Sequence, residues 1–332
     1  MSIVSIHIPP SVHPFFWLAA LAVFPLLIIN FCFFTFWIFA RFKNAFFSFV
    51  ILFLGLTHFK STFSYANKEP TDNLKVVSYN VRLFNLYSKE KSETKTKAAF
   101  VSWVNEENPD VICLQEFQDN QQKIITQIKK AGYVYHHSYL AQKGSPELLS
   151  GNIIFSKYPL LSKGLVEGGY SLNQTIYADI HYKEDTVRVY NAHLKSMSLN
   201  KKLKDQLKVE KSRLVLWRKL AKGAVGRAEQ VEEIVEHLNP NDRAIIFCGD
   251  LNDTPYSYVY HSLKSLMQNA FESSGKGFGF TLNHHQNDTD IRFLRIDHQF
   301  YNSKLSCDYF KTDCDMYYTD HYPIIANYTL LK

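Results

Sequence analysis

Twenty-six consecutive residues without a charge, Phe15–Ala40 (FFWLAALAVFPLLIINFCFFTFWIFA), constrain this chain more than any other feature. About 20 apolar residues cross a bilayer, so the run is long enough to span one, and a proline such as Pro25 is tolerated in a membrane helix. A second apolar run, Ala45–Phe59 (AFFSFVILFLGLTHF), is shorter and is expected to form a second span. A cleaved signal peptide fits poorly, because no Lys or Arg precedes the apolar stretch and the stretch is too long. Between Met1 and Phe59 the only Lys or Arg residues are Arg41 and Lys43, in the link between the two runs, and there is no Asp or Glu. Basic links favour the cytoplasmic side. The expectation is an integral protein of the inner cell membrane, with Met1 and the large domain extracytoplasmic. Were the first run alone to span, the same charges would leave the domain in the cytoplasm.

Residues 60–72 read as a polar linker, and residues 73–332 as one large domain with ample core. Short apolar, β-branched runs recur there: LKVVSYNVRLF (74–84), DVICLQE (110–116), GNIIFSKYPLL (151–161), QTIYADIHY (174–182), TVRVYNAHL (186–194), RAIIFCGDLN (243–252), RIDHQFYN (295–302) and the final YPIIANYTL. Helical stretches intervene before Pro109, around 121–131, across 203–238 and near 256–266, and Gly223 and Gly226 are expected to break the third in two. Several strands follow one another directly, which favours a layered α/β (α+β) domain with mixed sheets over a doubly wound parallel one. The sequence has no internal repeat, no G-x-G-x-x-G, no Walker loop and no zinc-type spacing. Its five cysteines suggest no disulfide framework.

What terminates the strands carries the chemistry. VVSYN ends on Asn80, VICLQE on Glu116, RVYNAH on His193, and IIFCGDLN on Asp250 and Asn252; RID supplies Asp297, and TDH supplies Asp320 and His321. Any one of these is ordinarily a turn or cap residue. Six such ends on one rim of a sheet assemble a site, and the chemistry that fits is hydrolysis of a phosphate ester. Glu116, with Asn80 and Asp320, offers hard oxygen ligands suited to Mg²⁺, with Mn²⁺ as the alternative. Asp250 with Asn252 suits orienting and deprotonating water. His321, oriented by Asp297, suits phosphate binding and stabilisation of transition-state charge.

These segments resemble the endonuclease/exonuclease/phosphatase superfamily, which includes DNase I, abasic-site endonucleases, neutral sphingomyelinases and inositol polyphosphate 5-phosphatases. The likeness runs in the family's order over roughly 73–332: Asn80 on the first strand, Glu116 in LQE, Gly249, Asp250 and Asn252 in GD-x-N, Asp297 in R-I-D, and Thr319, Asp320 and His321 in T-D-H. The N-x-H-L segment matches at Asn191, His193 and Leu194, and the resemblance implies that His193 contacts the scissile phosphate, which disfavours the abasic-site branch. The resemblance implies a four-layer αββα sandwich and attack of water on phosphorus without a covalent intermediate. Asn152 matches a family segment near the active site, with a phosphate-binding or supporting role, and Arg82 is a candidate contact for an anionic group. NVRLFN (80–85) and the basic helical insertion 196–238 look like membrane-anchored bacterial members with N-terminal spans, which in turn resemble the soluble domain of GPI-anchor lipid-remodelling proteins.

The expected function is thus a membrane-anchored, metal-dependent phosphodiesterase of nuclease type. A phospholipid-, GPI- or sphingolipid-headgroup phosphodiesterase and an inositol-phosphate phosphatase are the alternatives. A catalytically idle binding module would be free to lose Glu116, Asp250 or His321, and all three are present. The expected partners are a phosphodiester and the membrane, with no obligate protein partner. The net charge of +6 is uneven: residues 200–227 carry +8, leaving −2 for the rest. That segment reads as a solvated helix, as a membrane-surface helix, or as a nucleic-acid track. His136, His137, His284 and His285 lie in polar surroundings that suit solvated residues better than ligands.

Overall fold

The computed structural model describes residues 6–13, 15–66, 68–86, 92–119, 122–143, 145–166, 173–196, 210–283 and 293–331. His284, His285 and the segment 197–209 of the basic insertion lie outside these residues. An apolar helical hairpin comes first: α1 (Phe15–Ala40) and α2 (Phe42–Gly55), the latter continued by a 3-10 turn at Leu56–His58 and the short α3 (Phe59–Thr62). Trp17–Ala40 and Phe42–Thr62 are each long and apolar enough to cross a membrane. Asn30 Nδ2 donates to Ser48 O at 2.9 Å across the hairpin. The first half of α1 does not project. Trp17 packs with Ala224, and Ala20 and Val23 pack with Tyr256. Beyond it the hairpin is bare, with Phe31, Phe36, Phe39, Phe46, Phe47 and Phe53 all more than half exposed.

Two six-stranded mixed sheets follow. The first has the order β13–β14–β2–β3–β5–β4. In that order the strands are Leu305–Thr312, Ile324–Leu330, Leu74–Asn80, Val111–Phe117, Ser145–Ser156 and Tyr135–Lys143. The second has the order β10–β12–β9–β8–β7–β6. Its strands are Gln268–Asn269, Asp297–Tyr301, Ala244–Asp250, Asp185–His193, Thr175–Tyr182 and Leu160–Leu165. The linker is fastened to this body, because β1 (Ser64–Tyr65) pairs with β11 (Lys276–Gly277).

Period-two alternation explains the layering. In β9, Ile246 and Cys248 point between the sheets while Ile245 and Phe247 point outward, and every residue is buried because both faces are covered. The outer face of the first sheet is sealed by Phe100, Trp103 and Val104 of α4 (Glu93–Glu107) and by Ile124 and Ile128 of α5 (Lys123–Lys130). The second is sealed by Val231 and Ile234 of α6 (Glu210–His237) and by Val259 and Leu263 of α7 (Tyr258–Lys264). The expected αββα sandwich is the fold observed.

The middle layer carries a polar seam. Gln115 Nε2 donates to Asn191 Oδ1 at 2.7 Å, and Asn191 Nδ2 donates back to Leu114 O and Ile153 O, both at 2.9 Å. Gln299 reaches Val76 O and Ile324 O at 3.3 and 3.1 Å. Each bond joins one sheet to the other.

Two local expectations are corrected. The run 151–161 is not one strand: β5 ends at Ser156, and β6 starts at Leu160 in the other sheet. Pro159 has no N–H for a ladder, and Ser156 Oγ accepts from Tyr158 N at 3.0 Å to turn the chain. Gly223 and Gly226 do not break α6, which is continuous. A Cβ on Gly226 would lie 2.5 Å from Lys195 Cδ, so that glycine allows a close approach rather than a bend.

Candidate active site

The parallel pairs β2–β3 and β8–β9 send four C-terminal strand ends to one rim. In the ladder Asp250 lies opposite His193 on one side and Asp297 on the other. Asp250 is 1% exposed, and its Oδ2 accepts from Asn80 Nδ2 at 3.0 Å and lies 3.8 Å from His321 Nε2 and 3.9 Å from His193 Nε2. Its Oδ1 accepts from Asn252 N at 2.8 Å, and Asn252 Nδ2 donates to Leu194 O at 3.0 Å. Asn252 adopts φ 51°, a conformation that asparagine tolerates, so the chain turns sharply at the site. Burial, and then the neighbouring Asp297 carboxylate, push the Asp250 pKa up to about 6, against His321 and His193.

His321 Nδ1 sits 2.8 Å from Asp297 Oδ2. Burial works against a charged ring here, but the Asp297 and Asp250 carboxylates outweigh it and raise the His321 pKa to about 10. The ring is thus an imidazolium with Nε2 aimed at the Asp250 side. Thr281 Oγ1 accepts from Ile296 N and Asp297 N, and Asn283 Nδ2 donates to Tyr317 O and Thr319 O, so a strap at 281–283 ties the Asp297 and His321 segments together.

A second acidic group lies beside the first. Asn80 Nδ2 also reaches Glu116 Oε1 at 3.4 Å, and His193 Nε2 lies 3.8 Å from the same oxygen. Glu116 has φ 47° and stands in a register shift between Leu114 and Phe117, which turns it off the ladder. Asp320 pairs with Arg82 Nε at 3.3 Å. Burial raises the Asp320 pKa, His321 and Arg82 oppose that, and the nearby Glu116 adds to it. Arg82 to Asn85 form a left-handed turn with φ between 45° and 60°. Asn85 Nδ2 holds it through Thr96 Oγ1 at 3.2 Å and Tyr318 O at 2.7 Å. Left-handed backbone costs a residue with a Cβ roughly 1–2 kcal/mol, so this strained turn persists because Leu83, Phe84 and Asn85 are buried around it.

The family model described as Endonuclease/Exonuclease/phosphatase family matches residues 77–321, which contain every group just described. The chain belongs to this family. A second model, described only as a domain of unknown function, matches residues 1–62. No curated protein matches the chain. Among solved structures, an endonuclease/exonuclease/phosphatase from Beutenbergia cavernae DSM 12333 is similar with a TM-score of 0.59 at 15% identity, over 78% of this chain and 72% of that one. The human Nocturnin catalytic domain is similar at 0.56 and 15% identity, over 80% and 96%. A beta toxin from Staphylococcus aureus is similar at 0.52 and 21%, over 76% and 99%. At these identities the likeness establishes the fold.

In this family member the strand-end residues read from the sequence converge. Asn80, Glu116, His193, Asp250, Asn252, Asp297, Asp320 and His321 share the rim, and Arg82 joins them through Asp320. Asn152 lies deeper. It is fully buried, and its Nδ2 donates to Gln174 O at 2.7 Å and Asn191 O at 3.1 Å, while Gln174 O also accepts from His193 N. His136 and His137 lie on β4 at the edge of the first sheet. A divalent cation fits Glu116 and Asp320. Both are hard oxygen donors of like charge held near one another, and Asp320 Oδ1 is buried with no hydrogen-bond partner among the described residues. Asp250, Asp297 and His321 also offer atoms within 4.8 Å of one another. There His321 Nδ1 is already engaged by Asp297 Oδ2 at 2.8 Å.

The sequence reading missed several supports. Asn173 Nδ2 lies 3.2 Å from His193 Nε2 and donates to Leu194 O. Arg227, counted with the solvated basic residues, is fully buried; its Nε donates to Asp253 Oδ2 at 3.0 Å, its Nη1 to Lys195 O at 3.0 Å, and it lies 5.6 Å from the Trp17 ring.

Proposed function

We propose that the chain is a membrane-anchored, Mg²⁺-dependent phosphodiesterase in which Asp250 is the general base. The observation that carries this reading is a single buried carboxylate with two imidazoles 3.8 and 3.9 Å away and a second acidic group beside it. Asp250 takes the proton from water as the oxygen attacks phosphorus. The bond from phosphorus to the leaving oxygen breaks, and no covalent enzyme intermediate forms. Asn252 fixes the loop that aims Asp250. The His321 imidazolium and His193 meet the charge that grows on the phosphoryl oxygens. A divalent cation held by Glu116 and Asp320 supplies Lewis-acid neutralisation of phosphoryl charge when bound. The hairpin Phe15–Thr62 is the membrane anchor, and Arg41 and Lys43 at its tip favour a cytoplasmic tip and an extracytoplasmic active site.

The test uses the full chain in nanodiscs with Mg²⁺, Mn²⁺ or EDTA. Plasmid and single-stranded DNA, RNA, sphingomyelin or phosphatidylinositol liposomes, and inositol phosphates are offered in parallel. Metal-dependent cleavage of a phosphodiester, lost in Asp250→Ala, is the expected result and names the substrate class. Cleavage of inositol phosphates alone would replace the phosphodiesterase reading with a phosphatase. Failure to cleave any substrate would leave a binding module.

A further inference from the structure

A cavity of about 260 Å³ lies where the hairpin meets the catalytic domain. One wall is α1 at Leu21, Phe24 and Ile28; the facing wall is Phe278, Phe280 and Phe293 of the domain. Phe24 stands edge-on to Phe278 and Phe280, each at 5.8 Å, and Phe278 stacks on Phe280 at 5.3 Å. At the floor, buried Arg295 donates to Phe278 O at 2.8 Å and to Ser61 O, tying the domain wall to the end of the second helix. The cavity is therefore preformed. The chemistry of Asp250 does not use it, although Thr254 and Tyr256 of the following loop line it.

Its height relative to a bilayer follows from the hairpin. A hydrocarbon core about 30 Å thick takes about 20 helical residues at 1.5 Å each. Counted back from Ala40, beside the charged tip, that length reaches Leu21. The return helix Phe42–Thr62 has 21 residues and ends at the same floor. Only the portion beyond about Leu26 is bare of protein, so a full bilayer also covers the level of the cavity. At that level the catalytic domain presents Phe278 at 43% and Phe293 at 60% exposure, aromatic side chains of the kind that seat at a membrane interface. The cavity lining is mainly apolar, and its volume is below the roughly 300–1,000 Å³ of pockets that enclose a whole drug-sized ligand.

We infer that this cavity is a lipid site that takes one acyl chain of a bilayer phospholipid, with the headgroup left outside. The inference rests on the anchor reading above and is independent of the catalytic one. The site seats the domain on the membrane and brings a lipid chain against the loop that follows Asp250 and Asn252.

The experiment reconstitutes the full chain in nanodiscs of phosphatidylcholine with a photoactivatable diazirine on one acyl chain, and maps cross-links by mass spectrometry. The expected result is cross-links at 278–280 and 293–294 in addition to those on the bare helices at 31–53. Leu294→Trp, which fills the cavity from the domain side, and Leu21→Trp, which fills it from α1, should remove the first set and keep the second. The second set also verifies that each variant is folded into the bilayer. Cross-links confined to the helices, or loop cross-links unmoved by both substitutions, would overturn the lipid site alone. Absence of cross-links everywhere would overturn the anchor as well. Links between two copies of the chain through 278–294 would assign the cavity to a second protomer instead.

Discussion

Arg227 offers a prediction whose size can be worked out from its surroundings. It is fully buried, bonded at 3.0 Å to Asp253, which is 1% exposed, and no water-facing route relieves either charge. Replacing one partner of a buried pair leaves the other charged and unsolvated, which costs about 3–5 kcal/mol. For Arg227→Met the lost contact with the Trp17 ring adds about 0.5–1 kcal/mol. At roughly 2–4 °C per kcal/mol for a domain near this size, the melting temperature of the full chain in detergent should fall by about 7–24 °C. Burial already raises the Asp253 pKa, with Arg227 opposing the rise. Without Arg227 it rises further, so the folded state keeps a proton that the unfolded chain releases near pH 4, and stability falls as pH rises. The deficit should therefore be smaller at about pH 5 than at about pH 8. Arg227→Met combined with Asp253→Asn should recover more than half of the loss. A single-variant loss under about 1 kcal/mol, or a double variant no better than the single, would refute the buried-pair account.

Asp250→Asn should lower kcat by about 10²–10⁴-fold, and wild-type kcat/KM should climb with pH through about 6, where the Asp250 carboxyl ionises. Asp297→Asn removes the acceptor 2.8 Å from His321 and one of the two charges that hold its ring protonated. The alkaline fall in kcat/KM, set near pH 10 in the parent by the His321 value, should move to lower pH, and NMR titration of the ring should move with it. Gln115→Leu leaves Asn191 Oδ1 without its 2.7 Å donor and should cost about 1–3 kcal/mol in chemical denaturation.

The polar strand ends were readable because each follows a run whose alternation is local, as in VICLQE before Glu116 and IIFCGD ending on Asp250. The layered sandwich came from the resemblance those ends carry, since alternation alone does not say which strands share a sheet. What escaped depends on contacts between residues remote in sequence. Arg227 resembles the other cations of its helix, and only Asp253 and Trp17 mark it as buried. Gly226 resembles a breaker until Lys195 is seen against it. The strand β4 has few apolar residues because it is a sheet edge, and Asn283, in a polar stretch that reads as a loop, is fully buried beneath the Thr319–His321 turn.

The seam between the sheets has a consequence for when this molecule becomes competent. Asn80, Glu116 and His321 are carried by the first sheet and its loops, while His193, Asp250 and Asp297 are carried by the second. Neither sheet alone holds a working half. The first sheet is completed only by the end of the chain: β14, which follows every other strand in sequence, fills the gap between β13 and β2 and starts just after His321. A chain that lacks β14 has every site residue but an open first sheet to hold them. A complete site therefore requires both sheets to be closed and docked on one another.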